Sequence, residues 1–315
     1  MSRTPVGRQA TAAGRARAGL VLTMLLWGSA YATSKMIVQE VPPDAAAVLR
    51  FGIGALLMVG IHFARSARPV PRRDAWPALL LQSALGVAGY NFCFFRGVKL
   101  APASDAAMII PTLSPVVATL FGMVFLREPA RAGRLAGLAL CVTGAALFFG
   151  ETILPGADPA RMRGDLFLSA AGACWALSSL VSRRLLERTT PFQAAGWSLL
   201  LGTAMMLSFS VPEMTAIRWS ALSPAFWWVL AYLIAFPTVL AYIFWMKGIG
   251  TLGAGTATAF MFLSPFFGLL MSVAFLGERM TAVQVAGGAV IMAGLWLVNR
   301  PAPSRAPALG SEGVV

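Results

Sequence analysis

Chemistry needs titratable or nucleophilic side chains held together, and this sequence offers few. His62 is the single histidine, so imidazole-based catalysis and His-ligated metal chemistry are nearly excluded. Cys93, Cys141 and Cys174 are scattered through apolar runs, which suggests neither a disulfide framework nor a metal site. A phosphate loop of the form G-x-x-x-x-G-K-S/T is absent, so ATP drive would need another subunit. What the apolar stretches do carry is a set of aromatics and neutral hydrogen-bonders: Trp27, Tyr31, Gln82, Tyr90, Asn91, Ser114, Trp175, Ser178, Ser179, Tyr232, Thr238, Tyr242 and Ser264. Facing inward together, they suit a neutral, zwitterionic or aromatic-bearing molecule. Singly, each serves helix packing equally well. Arg50 lies inside an apolar stretch, where it either meets a carboxylate or stretches its long stem back to a polar surface. The chemistry expected is recognition, with no metal and no cofactor.

These groups must be positioned by elements suited to lipid. Apolar residues make up 58% of the 315 residues and charged residues 12%, against about 45–50% and about 25% in soluble domains. Mean hydropathy is +0.74. Even a ~300-residue soluble domain buries only about 75% of its chain surface. That argues against a soluble enzyme, a secreted disulfide scaffold and a disordered tail protein. Ten stretches are candidates to cross a bilayer: 17–36, 44–63, 76–97, 104–126, 132–150, 164–183, 192–211, 224–246, 254–276 and 281–299. The predicted organisation is an N-terminal arm over 1–16, five spans over 17–150, a connecting loop over 151–163, five spans over 164–299, and a Pro/Ala/Gly-rich tail over 300–315 read as disordered. The fold class expected is an all-α integral membrane protein.

A net charge of +13 would fit nucleic acid. The basic residues, however, sit singly or in small groups between apolar runs, as positive-inside loops require. With an inner N-terminus, 17 of the 25 Lys and Arg fall on the cytoplasmic side and 7 on the outer side. This sets both termini in the cytoplasm of an inner-membrane protein. The first stretch has a rival reading as a signal peptide, with Arg15 and Arg17 before an apolar core and Ala30-Tyr31-Ala32 as a cleavage site. Its length, the bulky Tyr31 and its match in the second half favour a retained span.

A shift of 150 aligns the two halves. Leu113-Ser114-Pro115 falls on Leu263-Ser264-Pro265, and Leu126-Arg127-Glu128 on Leu276-Gly277-Glu278. Gly137 and Gly144 fall on Gly287 and Gly294, and Trp27 matches Trp175 at a slightly smaller shift. Five spans is an odd number, so the second half enters the membrane from the opposite side. Inverted repeats of this kind are typical of secondary transporters, whose solute site lies near the midplane between the repeats.

Trp27-Gly28-Ser29 in the first span, Leu49-Arg50-Phe51 in the second, and Leu-Ser-Pro followed by Leu-x-Glu in the fourth and ninth carry a resemblance. With Gly-rich fifth and tenth spans, the sequence resembles the EamA family of the drug/metabolite transporter superfamily over about residues 18–299. The resemblance implies ten helices in two inverted five-helix repeats and a central cavity lined mainly by spans 1, 3, 4, 6, 8 and 9. It also implies export or uptake of small metabolites, often amino acids or related compounds. Arg127 departs from the Gly usual in the family, which the second half keeps as Gly277.

The candidate solute-binding residues are Trp27, Tyr31, Tyr90, Asn91, Ser114, Trp175, Ser178, Tyr232, Tyr242 and Ser264. Pro115, Pro237 and Pro265 sit mid-span. Each lacks an N–H, so the carbonyl of Pro111, Leu233 or Met261 loses its helix partner and must be satisfied by protein or water. That marks either a cavity wall or a packing kink. Glu128 and Glu278, at helix junctions, are read as structural, capping the helix that follows or pairing with Arg131 or Arg279. Asp105 is read as an N-cap or first-turn acid, and Lys35, Arg96 and Lys99 as solvated charge near the outer mouth. No Asp or Glu lies at mid-depth, which argues against a buried carboxylate relay; facilitated diffusion, exchange, or coupling near the span ends stay open.

The expected function is movement of a small metabolite by alternating access. Export of an amino acid or related compound is preferred on family analogy, with uptake of a vitamin or nucleoside-like solute as the alternative. An intramembrane lipid enzyme would need His or acid clusters that are not visible, and a scaffold would have no use for the repeat and its buried prolines. The expected partners are the lipid bilayer and a small-molecule substrate, with no nucleic acid. The oligomeric state stays open.

Overall fold

The computed structural model describes residues 5–65, 70–125, 132–153, 158–252, 256–257 and 260–298. Among them, all regular structure is helical: α1 (Pro5–Glu40), α2 (Pro43–Arg65), α3 (Arg73–Leu100), α4 (Ala103–Phe125), α5 (Ala132–Ile153), α6 (Pro159–Leu186), α7 (Pro191–Thr215), α8 (Pro224–Leu252), α9 (Phe260–Leu276) and α10 (Ala282–Val298). Helices α1, α2, α3, α5, α6, α7 and α8 are long and apolar enough to cross a membrane, while the apolar parts of α4, α9 and α10 are shorter. The described part of the N-terminal arm is helical and continues into α1, and α6 begins at Pro159, inside the predicted connecting loop. Alanine and arginine favour that extension of α1. The predicted tail lies outside the described residues.

Helix starts follow local chemistry. Pro159, Pro191 and Pro224 occupy first helical positions, where a missing N–H costs nothing. The residues before them cap the free N–H groups. Asp158 accepts from Ala160 N at 2.9 Å and Ser223 from Phe226 N at 3.1 Å. Thr190 and Gln193 form a capping box. Gly277 ends α9 with φ at 64°, a left-handed conformation that glycine adopts without a Cβ clash.

Two helices widen at their middles. A π-helical turn occupies Ala84–Gly89 in α3, and another occupies Ile234–Leu240 in α8, one repeat shift further on.

Packing pairs the halves. α1 lies on α8 and α9, while α6 lies on α3 and α4; α2 pairs with α7 and α5 with α10. Leu20 of α1 seats on Gly248 of α8, and Leu168 of α6 seats on Gly97 of α3, each where an added Cβ would have no room. The main core is built from α1, α2, α3, α4 and α8 around Ile37, Val48, Phe94, Phe95, Ile110 and Leu230, joined by Leu168 of α6 and Met206 of α7. Outward faces stay apolar: Leu56, Leu166 and Trp228 are 66%, 65% and 78% exposed. Such faces need lipid rather than water against them.

Candidate functional site

The site is assembled around the break that Pro237 makes in α8. Pro237 has no N–H for Leu233 O, and Thr238 Oγ1 donates to that carbonyl at 2.9 Å. The orphaned acceptor predicted from sequence is therefore satisfied by protein. Pro237 O in turn accepts from Trp27 Nε1 of α1 at 3.1 Å. Two residues along α1 and five residues back along α8, the Ser29 and Tyr232 hydroxyls share a 2.7 Å hydrogen bond. α1 and α8 are thus joined by polar contacts beside the widened turn.

Arg50 of α2 completes this group. It is 6% exposed, so it does not stretch to the surface. Nη1 donates to Ser34 Oγ at 2.9 Å and Nε to Thr238 Oγ1 at 3.4 Å, and the guanidinium lies 4.6 Å from the Phe51 ring centre.

An aromatic line runs from α1 through α3 to α6. Tyr31 meets Phe94 edge-on at 6.1 Å, Phe94 stacks on Tyr90 at 5.6 Å, and Tyr90 meets Trp175 at 5.4 Å. Tyr31 also faces the Ser264 hydroxyl of α9. It lies against Gly268, where a Cβ would come within 3.1 Å of its ring. Trp27 packs on Trp245 at 5.2 Å.

Six of the ten predicted residues therefore fall in two adjoining clusters: Trp27 and Tyr232 at the α1–α8 contact, and Tyr31, Tyr90, Trp175 and Ser264 along the aromatic line. Asn91 is buried, with Nδ2 donating to Val87 O at 2.8 Å and Oδ1 without a protein partner. Ser178 donates to Trp175 O at 2.9 Å and packs against Gly86, which places it in the α3–α6 contact. Tyr242 donates to Pro191 O at the start of α7, away from both clusters. Glu128 and the Ser114 side chain lie outside the described residues. Pro115 lies within α4, and Pro265 is buried in the first turn of the regular part of α9. Ser29, Ser34 and Phe94 complete the site unpredicted. The two serines recur with Trp27 and Tyr31 on one stretch of α1, a signal the sequence did contain.

Beyond the site, at the end where α1 meets α2, the charges are tied down. Glu278 accepts from Ala103 N at 2.7 Å and Ser104 N at 3.0 Å, capping α4 rather than the helix that follows it. α10 has its own cap, because Thr281 and Gln284 bond reciprocally and leave Glu278 available. Lys35 donates to Val98 O and Ala101 O, Lys99 donates to Val38 O, and Arg96 clasps Asp44. These three cations are structural donors rather than solvated loop charge. Asp105 does lie in the first turn of α4, and Arg161 grips it at 2.7 and 2.9 Å. Lys35, Glu40, Lys99 and Glu278 line an open cleft of about 580 Å³.

The Thr238 bond is testable. Thr238→Val keeps the shape, removes the hydroxyl donor to Leu233 O and removes one contact to Arg50. It should cost about 1–3 kcal/mol in detergent unfolding, whereas Thr238→Ser should restore most of it.

Among the described residues no three His, Cys, Asp or Glu assemble as metal ligands. The group offers aromatic faces, hydroxyls and a buried guanidinium, which are means of holding a small molecule.

Comparison with known proteins agrees with that chemistry. The EamA-like transporter family matches residues 16–150 and 162–300. The Uncharacterized transporter YyaM of Bacillus subtilis is 23% identical over 270 residues, covering 85% of this chain and 88% of that protein. A Probable terminal-alkyne amino-acid exporter of Streptantibioticus cattleyicolor is 27% identical over 286 residues, covering 89% and 92%. A Probable amino-acid metabolite efflux pump of Salmonella typhimurium is 27% identical over 286 residues, covering 88% and 92%. One solved structure superposes with a TM-score of 0.61 at 22% identity, over 88% of this chain and 94% of its own, a likeness of fold. Matched in both halves by one family and built of apolar helices, this chain belongs to the EamA-like transporter family and is a multi-pass membrane protein of the transporter type.

Proposed function

We propose that the protein exports a small metabolite, an amino acid or a related compound, across the inner membrane by alternating access. In this reading residues 17–150 and 164–299 are two inverted five-helix units, 151–163 joins them, and both termini are cytoplasmic. The carrying observation is the exchange of partners at α5–α10. An added Cβ on Gly137 would strike Gly294 O at 2.9 Å, and one on Gly144 would strike Gly287 O at 2.7 Å. Gly137 corresponds to Gly287 and Gly144 to Gly294 under the repeat shift. Each helix therefore meets the counterpart of its other glycine. Between them Cys141 Sγ approaches Ile291 O at 3.8 Å, two residues 150 apart. Such a crossing is antiparallel and has a local two-fold axis perpendicular to the helices. For membrane-crossing helices that axis lies in the membrane plane, the geometry of an inverted repeat.

The matching π turns and the Leu20–Gly248 and Leu168–Gly97 seats support the same axis. The names of two relatives, both concerned with amino-acid compounds, support the substrate class.

Reconstitution tests the reading. Liposomes containing the protein and loaded with a mixed amino-acid pool should lose one or more members faster than protein-free liposomes. Absence of flux in either direction for every member would overturn the substrate class, and reagent reaching a tag at Val315 from outside intact cells would overturn the orientation.

A further inference from the structure

Arg50 is a buried cation without a buried anion. Its contacts are the Ser34 and Thr238 hydroxyls and the Phe51 ring, and the ionisable groups facing it are the Tyr90 and Tyr232 phenols. No carboxylate among the described residues reaches it. The acids at the nearer end of the bundle are engaged elsewhere: Asp44 with Arg96, Asp105 with Arg161, Glu278 at the α4 N-terminus, and Glu40 with Ser223. The two hydroxyl bonds use Nε and Nη1, and Nη2 has no partner among the described residues.

A buried charge is costly unless paired, and an ionisable side chain within a membrane bundle faces the interior or a solute path. A guanidinium is never neutral at physiological pH, so the deficit cannot be removed by losing a proton. Its planar fork fits a carboxylate at two points.

We infer that Arg50 binds the carboxylate of the transported solute, which makes the substrate class a small organic acid rather than an amine or a neutral compound. This rests on the transport function proposed above. The Tyr90 phenol facing Arg50 begins the aromatic line through Phe94 to Tyr31. The solute's carboxylate would sit at the guanidinium and its apolar part along that line. The hydroxyls hold Arg50 in place before the solute arrives, so binding replaces no existing ion pair.

Equilibrium binding tests this without any need for flux. The purified protein in detergent is titrated with the standard amino acids, with unsubstituted carboxylic acids, and with the carboxamides of both, following thermal stability and tryptophan fluorescence. One or more acids should bind wild type about 10- to 100-fold more tightly than the matching carboxamide, the range expected of a charge-assisted pair. Arg50→Gln should erase that preference, and Arg50→Lys should keep a weaker one. If Arg50→Gln does not fold, the wild-type comparison still decides. Equal binding of acid and carboxamide, no binding by any acid, or an unchanged preference in Arg50→Gln would each overturn the assignment. Carboxylate-selective binding with no flux in liposomes would instead refute the transport reading and leave the site standing.

Discussion

Gly144→Val should leave little folded protein after extraction into detergent, while Gly150→Val, six residues along the same helix, should behave as wild type. The difference lies in what the new carbon meets. At Gly144 it would stand 2.7 Å from Gly287 O and 2.7 Å from Ile291 N, both backbone atoms of α10. At Gly150 nothing lies within 4 Å. Backbone cannot rotate aside, so α5 and α10 must separate. Inside a bilayer no hydrophobic force recloses the gap, because association there depends on close packing. Overpacking a tight contact costs about 1–3 kcal/mol, and a branched side chain against backbone belongs at the top of that range. Fluorescence-detected size exclusion after stepwise heating reads the outcome. Equal melting of the two variants would show that α5–α10 is not a structural seam.

Arg161→Ala should destabilise the protein by about 3–5 kcal/mol, the loss that follows when one member of a buried ion pair is removed. The two partners differ in what they can do alone. Asp105 has no exposure, whereas the Arg161 side chain is 23% exposed. Losing the arginine strands Asp105 beside Asp165, whose Oδ1 is itself buried without a partner. Losing the acid leaves an arginine with a route to solvent. Asp105→Asn should therefore cost less than Arg161→Ala, and the double substitution should cost less than the sum of the two. Arg163→Ala, two residues away and exposed, is the control. A loss from Arg161→Ala no larger than from Arg163→Ala would count against the pair.

Much of the scaffold could be read directly because its signals are local. Thr190-Pro191 with Gln193 and Ser223-Pro224 each place a cap, a rigid φ and a helix start within four residues; Asp158-Pro159 carries the same signal, but its Pro, Gly and Asp neighbours make that stretch read as a loop. The consequence of Pro237 for Leu233 was equally local, since the lost bond spans four residues and the replacement donor is the next residue, Thr238. The charges at the end where α1 meets α2 were illegible for the opposite reason. Lys35 reaches carbonyls 63 and 66 residues away, and Glu278 reaches N–H groups 174 and 175 residues away. A count of loop charges treats such groups as solvated because it has no term for a backbone partner on another helix. Tyr242 and Tyr232 illustrate a further limit. They lie on one helix with similar neighbours, yet a π turn between them alters the angular spacing on which a helical-wheel argument depends. Trp27, Tyr31, Tyr90 and Trp175 can be singled out in the sequence because polar or aromatic side chains stand out in an apolar run. Arg50 stood out too, and only the geometry distinguishes a guanidinium held inward by hydroxyls from one that reaches the headgroups.

The widened turns at Ala84–Gly89 and Ile234–Leu240 give this molecule a pair of elbows. A regular helix resists bending because each hydrogen bond repeats the one before it; a wide turn interrupts that ladder and loosens the rod at one place. Here the interruptions sit halfway along α3 and α8, one in each half of the chain. Either rod then has one place at which its upper arm can flex against its forearm without unwinding.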